Sequence, residues 1–285
     1  MAMEAGLAGE FLRTVDVDAG GLDRLSDGLH RIYRDDLDVL IVRSAFPAAI
    51  MGHVVDRLQG AEHGFVRMPQ EFRDIEREQI IFYGDAMSHN SVDEQGPPME
   101  RYLTNAGIWR EACRRLFAAD GDYETRLSDI FGALSGGRRV DVPHYSDGRA
   151  YCPSTIRMIP PGRGAPFHID NYFDDLEGWQ HLSKTMDLRH PINFFTTISP
   201  PESGGEIEVS ELRFNDPRST ADGSINKDHS GFASQRFSLR AGDLFAFAAG
   251  RFWHHVREVQ GSRPRWTIGG FLGFGTDDRT LFYWG

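Results

Sequence analysis

The sequence predicts a β-sandwich or barrel in its second half, backed by helices and an occasional strand from its first half. Two observations lead to this. From Arg138 onward short apolar stretches alternate with Gly/Pro turns, whereas the first 140 residues carry longer segments of helical spacing. Hydrophobic residues make up 40% and charged residues 26% of the 285, the composition of an ordinary folded domain. A chain of that length can bury one large core. No internal repeat, low-complexity tract or composed linker divides it. The expectation is one domain over 1–285, with a mixed helix/strand portion over 1–137 supporting a β-core over 138–275.

Taken in order, 22–32 has helical spacing, and Asp38-Val39-Leu40-Ile41-Val42 is an apolar run suited to a buried strand. Pro47 opens a second helix that runs to about Leu58. The polar stretch 84–105, with Pro97-Pro98, reads as an irregular loop. Amphipathic helices follow over 101–118 and 123–134, the second stopped by Ser135-Gly136-Gly137. Strands are expected over 155–159, 192–198, 206–209, 235–239, 243–248, 255–259 and 266–271. The long interruptions 171–189 and 212–231 have the length of lids or binding loops.

A formal net charge of −11 argues against nucleic acid or an anionic membrane as the main partner, since both attract a basic face. No apolar run is long enough to span a bilayer, and the N-terminus lacks a basic stretch followed by an apolar one. A cytoplasmic protein is expected, and nothing in the sequence specifies an oligomeric state. Two cysteines, Cys113 and Cys152, are too few for a disulfide framework and read as small buried hydrophobes. Of 31 basic residues only Lys184 and Lys227 are lysines, so a bound carboxylate would be gripped by the bidentate fork of arginine.

His168-Ile169-Asp170 follows the turn Pro160-Pro161-Gly162. On a strand, residues two apart share a face, so His168 and Asp170 can grip one ion together. Alone, such a pair is more often a surface hydrogen bond. Downstream come Ser203-Gly204-Gly205-Glu206, then Gly242-Asp243-Leu244-Phe245, His254-His255-Val256 and Arg265-Trp266-Thr267. As an ordered set over about 140–275 these residues resemble the iron(II)/2-oxoglutarate-dependent dioxygenase superfamily, in its prolyl-4-hydroxylase-like branch. The resemblance implies a double-stranded β-helix, or jelly roll, over about 138–275.

Two histidines and one carboxylate on one face leave three iron positions open, the arrangement of non-haem iron oxygenases. The resemblance implies iron(II) on His168, Asp170 and His254, with 2-oxoglutarate and dioxygen as cosubstrates. It also implies succinate and carbon dioxide as products beside the oxidised substrate. His255 is the rival third ligand. The count from Gly242-Asp243 favours His254, and adjacent strand residues face opposite ways, so only one of the pair can bind. For the far carboxylate of 2-oxoglutarate, Arg265 fits the pattern with Thr267 as second donor. Arg263 has the same strand parity and stays a rival, the chain carrying two extra positions around Pro264. Arg157 on the preceding strand is within reach of the cosubstrate or of a substrate carboxylate. Asn171, Tyr172, Phe195 and His89 are candidates for the substrate pocket.

The function expected is hydroxylation of an unactivated C–H bond of a small molecule, an amino acid or natural-product scaffold. Halogenases of the superfamily carry Gly or Ala in place of the carboxylate ligand; Asp170 disfavours that chemistry. Desaturation, epimerisation and ring closure use the same ligands. Protein side-chain hydroxylation is the alternative within the class. A non-oxidative metal-binding cupin is the alternative outside it, and such a protein has no need of a buried arginine for a dicarboxylate.

Overall fold

The β-branched and aromatic runs of the second half pair into two facing sheets. The computed structural model describes residues 11–60, 80–87, 99–117, 121–171, 177–189, 191–220 and 231–285. Its strands in chain order are β1 (Thr14–Asp18), β2 (Val39–Arg43), β3 (Ile81–Tyr83), β4 (Arg139–Asp141), β5 (Thr155–Ile159), β6 (Ala165–His168), β7 (Ile192–Ser199) and β8 (Ser203–Gly204). They continue as β9 (Ile207–Arg213), β10 (Ser234–Phe237), β11 (Leu244–Phe247), β12 (Phe252–Val256), β13 (Val259–Gln260), β14 (Arg265–Phe274) and β15 (Thr280–Trp284). The helices are α1 (Gly28–Tyr33), α2 (Ala48–Gln59), α3 (Met99–Phe117), α4 (Tyr123–Leu134) and α5 (Glu177–Leu182).

The major sheet runs β1-β2-β11-β7-β14-β15-β4, with β5 pairing the first half of β14 and β3 extending the sheet from β5. The minor sheet runs β10-β9-β12-β6, and β8 pairs β13 at its end. This is the jelly-roll architecture that the resemblance implies, widened by strands from the first half. Aromatic side chains fill the space between the sheets: Phe245 of the major sheet meets Phe237 of the minor one with ring centroids 5.1 Å apart.

The other face of the major sheet carries the helices. Phe131 of α4 stands edge-on to Phe194 of β7 at 5.0 Å, and both are fully buried. Each such side chain contributes roughly 1.5–3 kcal/mol through burial. Trp109 of α3 is buried and donates from Nε1 to the Ser154 carbonyl at 2.6 Å. Among the described residues, no helix is long and apolar enough to cross a membrane. Cys113 and Cys152 are buried and unbridged.

The helix over Tyr123–Leu134 and the strand over Thr155–Ile159 have the bounds their patterns predict. Elsewhere the edges move. Segment 22–32 splits into a 3-10 turn, Ala19–Leu25, and α1, separated by Ser26-Asp27, residue types that favour caps and turns over helix interiors. Helix α3 begins at Met99, inside the expected loop 84–105. The segment 171–189 contains α5, and β9 runs to Arg213, into the expected loop 212–231.

The expected strand 255–259 is two elements. β12 starts earlier, at Phe252, and Arg257 and Glu258 turn the chain into β13, with the Arg257 amide bonded to the Glu206 carbonyl. That shift puts His254 at the centre of a strand. Strands β1, β3, β4, β6, β8 and β15 were not expected, the first five being two to five residues long and the last lying beyond the motif region.

The Gly242-Asp243 pair has a structural role of its own. Gly242 turns the chain into β11 at φ +86°, and a Cβ there would lie 1.9 Å from the Phe46 carbonyl oxygen. Asp243 then accepts from the Ser44 and Arg240 amides and from the Arg43 guanidinium, tying β2 to β11 from within the turn.

Candidate metal centre

Two strands of the minor sheet bring the histidines together. β12 and β6 are antiparallel with His254 opposite His168, and the imidazole centroids are 4.3 Å apart. β6 ends at His168, so Asp170 reaches the same place from the first turn beyond the strand, not from within it. Its amide donates to the Ala249 carbonyl, which ties that turn to the start of β12. The Nε2 atoms of His168 and His254 lie 3.8 and 3.7 Å from the two Asp170 carboxylate oxygens. All three donor atoms fall within 4.8 Å of one another, close enough to share one ion.

The protonation pattern suits metal binding. His168 Nδ1 bonds the Pro166 carbonyl at 2.7 Å, and His254 Nδ1 bonds the Phe252 carbonyl at 2.9 Å. A carbonyl only accepts, so each ring carries its proton on Nδ1 and turns the Nε2 lone pair toward Asp170. Burial is the main force holding the His254 pKa well below the usual imidazole range, with His168 and Arg157 adding to it. Burial also raises the Asp170 pKa, against the opposing pull of His168, Arg157 and Asn193. The ring of Phe247 stands edge-on to His254 at 4.8 Å and walls off that side.

His255 faces the other way. Its Nε2 is 3.8 Å from Glu208, and its ring is 6.1 Å from Phe167, on the outer side of the minor sheet. His254→Ala is therefore expected to lose iron, while His255→Ala keeps near-normal iron stoichiometry, read by metal analysis after anaerobic loading. Glu208 is buried, and its pKa is set by burial raising it against hydrogen bonds from Ser234, Arg257 and Arg236; these win and hold it at about 2. A carboxylate depressed on folding stabilises fully above its unfolded pKa and loses that contribution as pH falls. Urea unfolding should then show the wild type losing its advantage over Glu208→Gln between about pH 4.5 and pH 2. Equal acid sensitivity in the two proteins would contradict this.

Across the cleft, the major sheet supplies the cations. Arg265, the first residue of β14, is buried, and its guanidinium lies over the Phe195 ring at 5.0 Å from the centroid. Burial, with help from Arg157, lowers its pKa to about 10. In the next row Thr197, Thr267, Arg157 and Phe82 sit side by side on β7, β14, β5 and β3. Arg157 stacks on Phe82 at 5.3 Å; burial lowers its pKa, and the nearby Asp170 charge opposes that. Among the described residues neither Arg265 nor Arg157 has a carboxylate at ion-pair distance. Buried cations without a partner are costly, and they mark a place where an anion binds. A cavity of about 210 Å³ adjoins Arg265, with Thr197, Gly205, Ile207 and Phe237 in its wall.

The remaining sequence candidates divide. Arg263 is exposed, its guanidinium bonded to the Pro201 carbonyl at 3.2 Å, and it is not brought to the cleft. Asn171 is half-buried beside Asp170, and Phe195 lies beneath Arg265. Tyr172 and His89 lie outside the described residues. Two residues of the cleft were missed, Phe82 and Asn193. Phe82 is on a three-residue strand with no pattern to reveal it. For Asn193 a signal existed: a lone amide inside the apolar run Ile192-Asn193-Phe194-Phe195.

A jelly roll with two imidazoles on one sheet and a carboxylate in the turn beside them, facing arginines of the other sheet that have no carboxylate partner among the described residues, defines an iron(II)/2-oxoglutarate-dependent oxygenase. The donors fit iron(II), and the buried Arg265, with the half-buried Arg157 near it, fits a dicarboxylate. The model of the carrier-protein-independent halogenase WelO5 family matches residues 11–285, and the chain belongs to that family. No curated protein matches it.

Among solved structures, the N-substituted L-amino acid dioxygenase of Burkholderia ambifaria AMMD shares the fold. Its TM-score is 0.50 at 16% identity, over 90% of this chain and 91% of that one. The same enzyme in complex with alpha-KG gives 0.49 at 16%, over 90% of each chain. HygX from Streptomyces hygroscopicus, with nickel, 2-oxoglutarate and hygromycin B bound, gives 0.47 at 16%, over 85% of each.

Proposed function

We propose that the protein hydroxylates an unactivated C–H bond of a free small molecule, using iron(II), 2-oxoglutarate and dioxygen and releasing succinate and carbon dioxide. The observation that carries this reading is Asp170. The family is described by a halogenase, yet the donor set of this chain includes a carboxylate within 3.8 Å of both imidazoles, where a halide would need a vacancy. The family's description as carrier-protein-independent supports a substrate that arrives free rather than tethered.

His168, Asp170 and His254 would hold the iron. When bound, iron with 2-oxoglutarate and dioxygen supplies the oxidising power for the C–H bond. The chain's own residues do the rest. The Nδ1–H bonds to Pro166 and Phe252 keep both imidazoles oriented, and Phe247 keeps water from His254. Arg265 with Thr267 grips the far carboxylate of the cosubstrate, its fork preorganised over Phe195. Arg157 adds a second positive charge between that grip and Asp170, and Phe82 forms the neighbouring apolar wall.

The test is to incubate the apo-protein with iron(II), ascorbate, 2-oxoglutarate and a panel of free and derivatised amino acids and natural-product scaffolds. Succinate release matched one-to-one by an oxygen-inserted product supports hydroxylation. A chlorinated product from the wild type, or turnover with peptides alone, would overturn it.

A further inference from the structure

We propose that Asn193 is a positioning residue for Asp170, its amide fixing which carboxylate oxygen is left for the metal. This rests on the reading that His168, Asp170 and His254 hold iron. Asn193 Nδ2 donates to Asp170 Oδ2 at 3.4 Å, and both side chains are buried. Asn193 sits in the centre of the major sheet, with Phe247 of β11 opposite it on one side and Phe271 of β14 on the other. An amide among aromatic rings is costly unless it is hydrogen-bonded, and Asp170 is the side-chain partner it has among the described residues.

The need for such a partner follows from how Asp170 is held. Lying beyond the end of β6, it has its main chain tied to Ala249, but it has no place in a strand ladder that would set the rotation of its carboxylate. Its two oxygens face different histidines, Oδ1 toward His168 and Oδ2 toward His254. A carboxylate free to turn can close on a metal through both oxygens and take a position that cosubstrate or dioxygen needs. A donor on Oδ2 leaves Oδ1 for the metal. An amide does this without positive charge, so it orients the carboxylate without competing with the metal for it.

Cobalt(II), added anaerobically with 2-oxoglutarate, reads this through affinity and its visible absorption, independently of turnover. Asn193→Leu keeps the volume and removes the donor; Asn193→Ala is the second variant, and thermal melts confirm that each folds. The expected result is a cobalt(II) affinity about 10-fold lower with a changed absorption envelope, within the range for loss of an outer hydrogen-bond partner. In an Asp170→Ala background the same substitutions should change nothing further, because the amide acts through that carboxylate.

An unchanged affinity and spectrum in the Asp170 background would overturn the proposal. So would an equal loss in both backgrounds, which would mean that Asn193 acts by packing. If Asp170→Ala alone leaves cobalt(II) affinity intact, the ligand assignment fails first and takes this inference with it.

Discussion

Asp170→Gly is expected to abolish the proposed hydroxylation while the fold survives. The residue lies in a turn past β6, where a glycine meets no helix or strand requirement, so the backbone accepts the change and the stability cost is that of leaving the buried Asn193 amide without its carboxylate partner. The site changes more. One of three donor atoms within 4.8 Å of one another disappears, leaving the two imidazoles to hold the ion. Losing an outer hydrogen-bond partner costs about 10–100-fold in metal affinity or activity; losing a ligand should cost more. The vacancy also changes what can bind, since the donor set then matches the pattern that admits a halide. With chloride or bromide present, a halogen-bearing product from the variant and none from the wild type is the expected mass-spectrometric signature. Wild-type rates of oxygen insertion by the glycine variant would show that Asp170 is not a ligand.

Arg265→Leu is expected to raise the 2-oxoglutarate requirement by about 10²–10³-fold or more while iron still binds. The guanidinium is buried and has no carboxylate partner among the described residues, so a bound dicarboxylate would meet it as a desolvated pair. Removing one side of such a pair costs roughly 3–5 kcal/mol. Arg265→Lys should recover part of the loss, a point charge being unable to reproduce the two-pronged contact. Arg263→Leu, altering an exposed side chain bonded to the Pro201 carbonyl, should leave the requirement unchanged. Succinate release against 2-oxoglutarate concentration reads all three. A normal requirement in Arg265→Leu would place the cosubstrate elsewhere.

The family also offers a contrast within one fold. A chain matched over 11–285 by the model of a halogenase family carries a complete two-histidine, one-carboxylate set. Under the proposed hydroxylation, the difference between adding oxygen and adding halide resides in one side chain and what holds it. That makes the Asn193–Asp170 pair as informative as Asp170 itself.

Much of this was legible in the linear chain because the signals are local. Helical spacing and the Ser135-Gly136-Gly137 stop gave α4 its bounds. The His168-x-Asp170 pair, the Gly242-Asp243 turn and His254 are short-range patterns whose order alone carried the resemblance. Strand parity could say that only one of His254 and His255 binds, since adjacent side chains must face opposite sides whatever the sheet does.

Parity could not separate Arg263 from Arg265, which share it; what separates their surroundings is where β14 begins and what it pairs with. Only once Arg265 lies against β5 and above Phe195 does one guanidinium become buried and the other stay in water. Short strands such as β3 and β6 escaped for a related reason. Four residues containing a proline, or three with no alternation, acquire strand structure from their neighbours in the sheet rather than from their own propensity. Phe82 beside Arg157 and Asn193 beside Asp170 are separated by 75 and 23 positions in the chain, and only the pairing of the sheets makes them neighbours. The sequence by itself determined which atoms are available to a metal. The tertiary structure decided which cations and which amide face them, because burial and contact across a cleft are set by the whole fold and not by spacing along the chain.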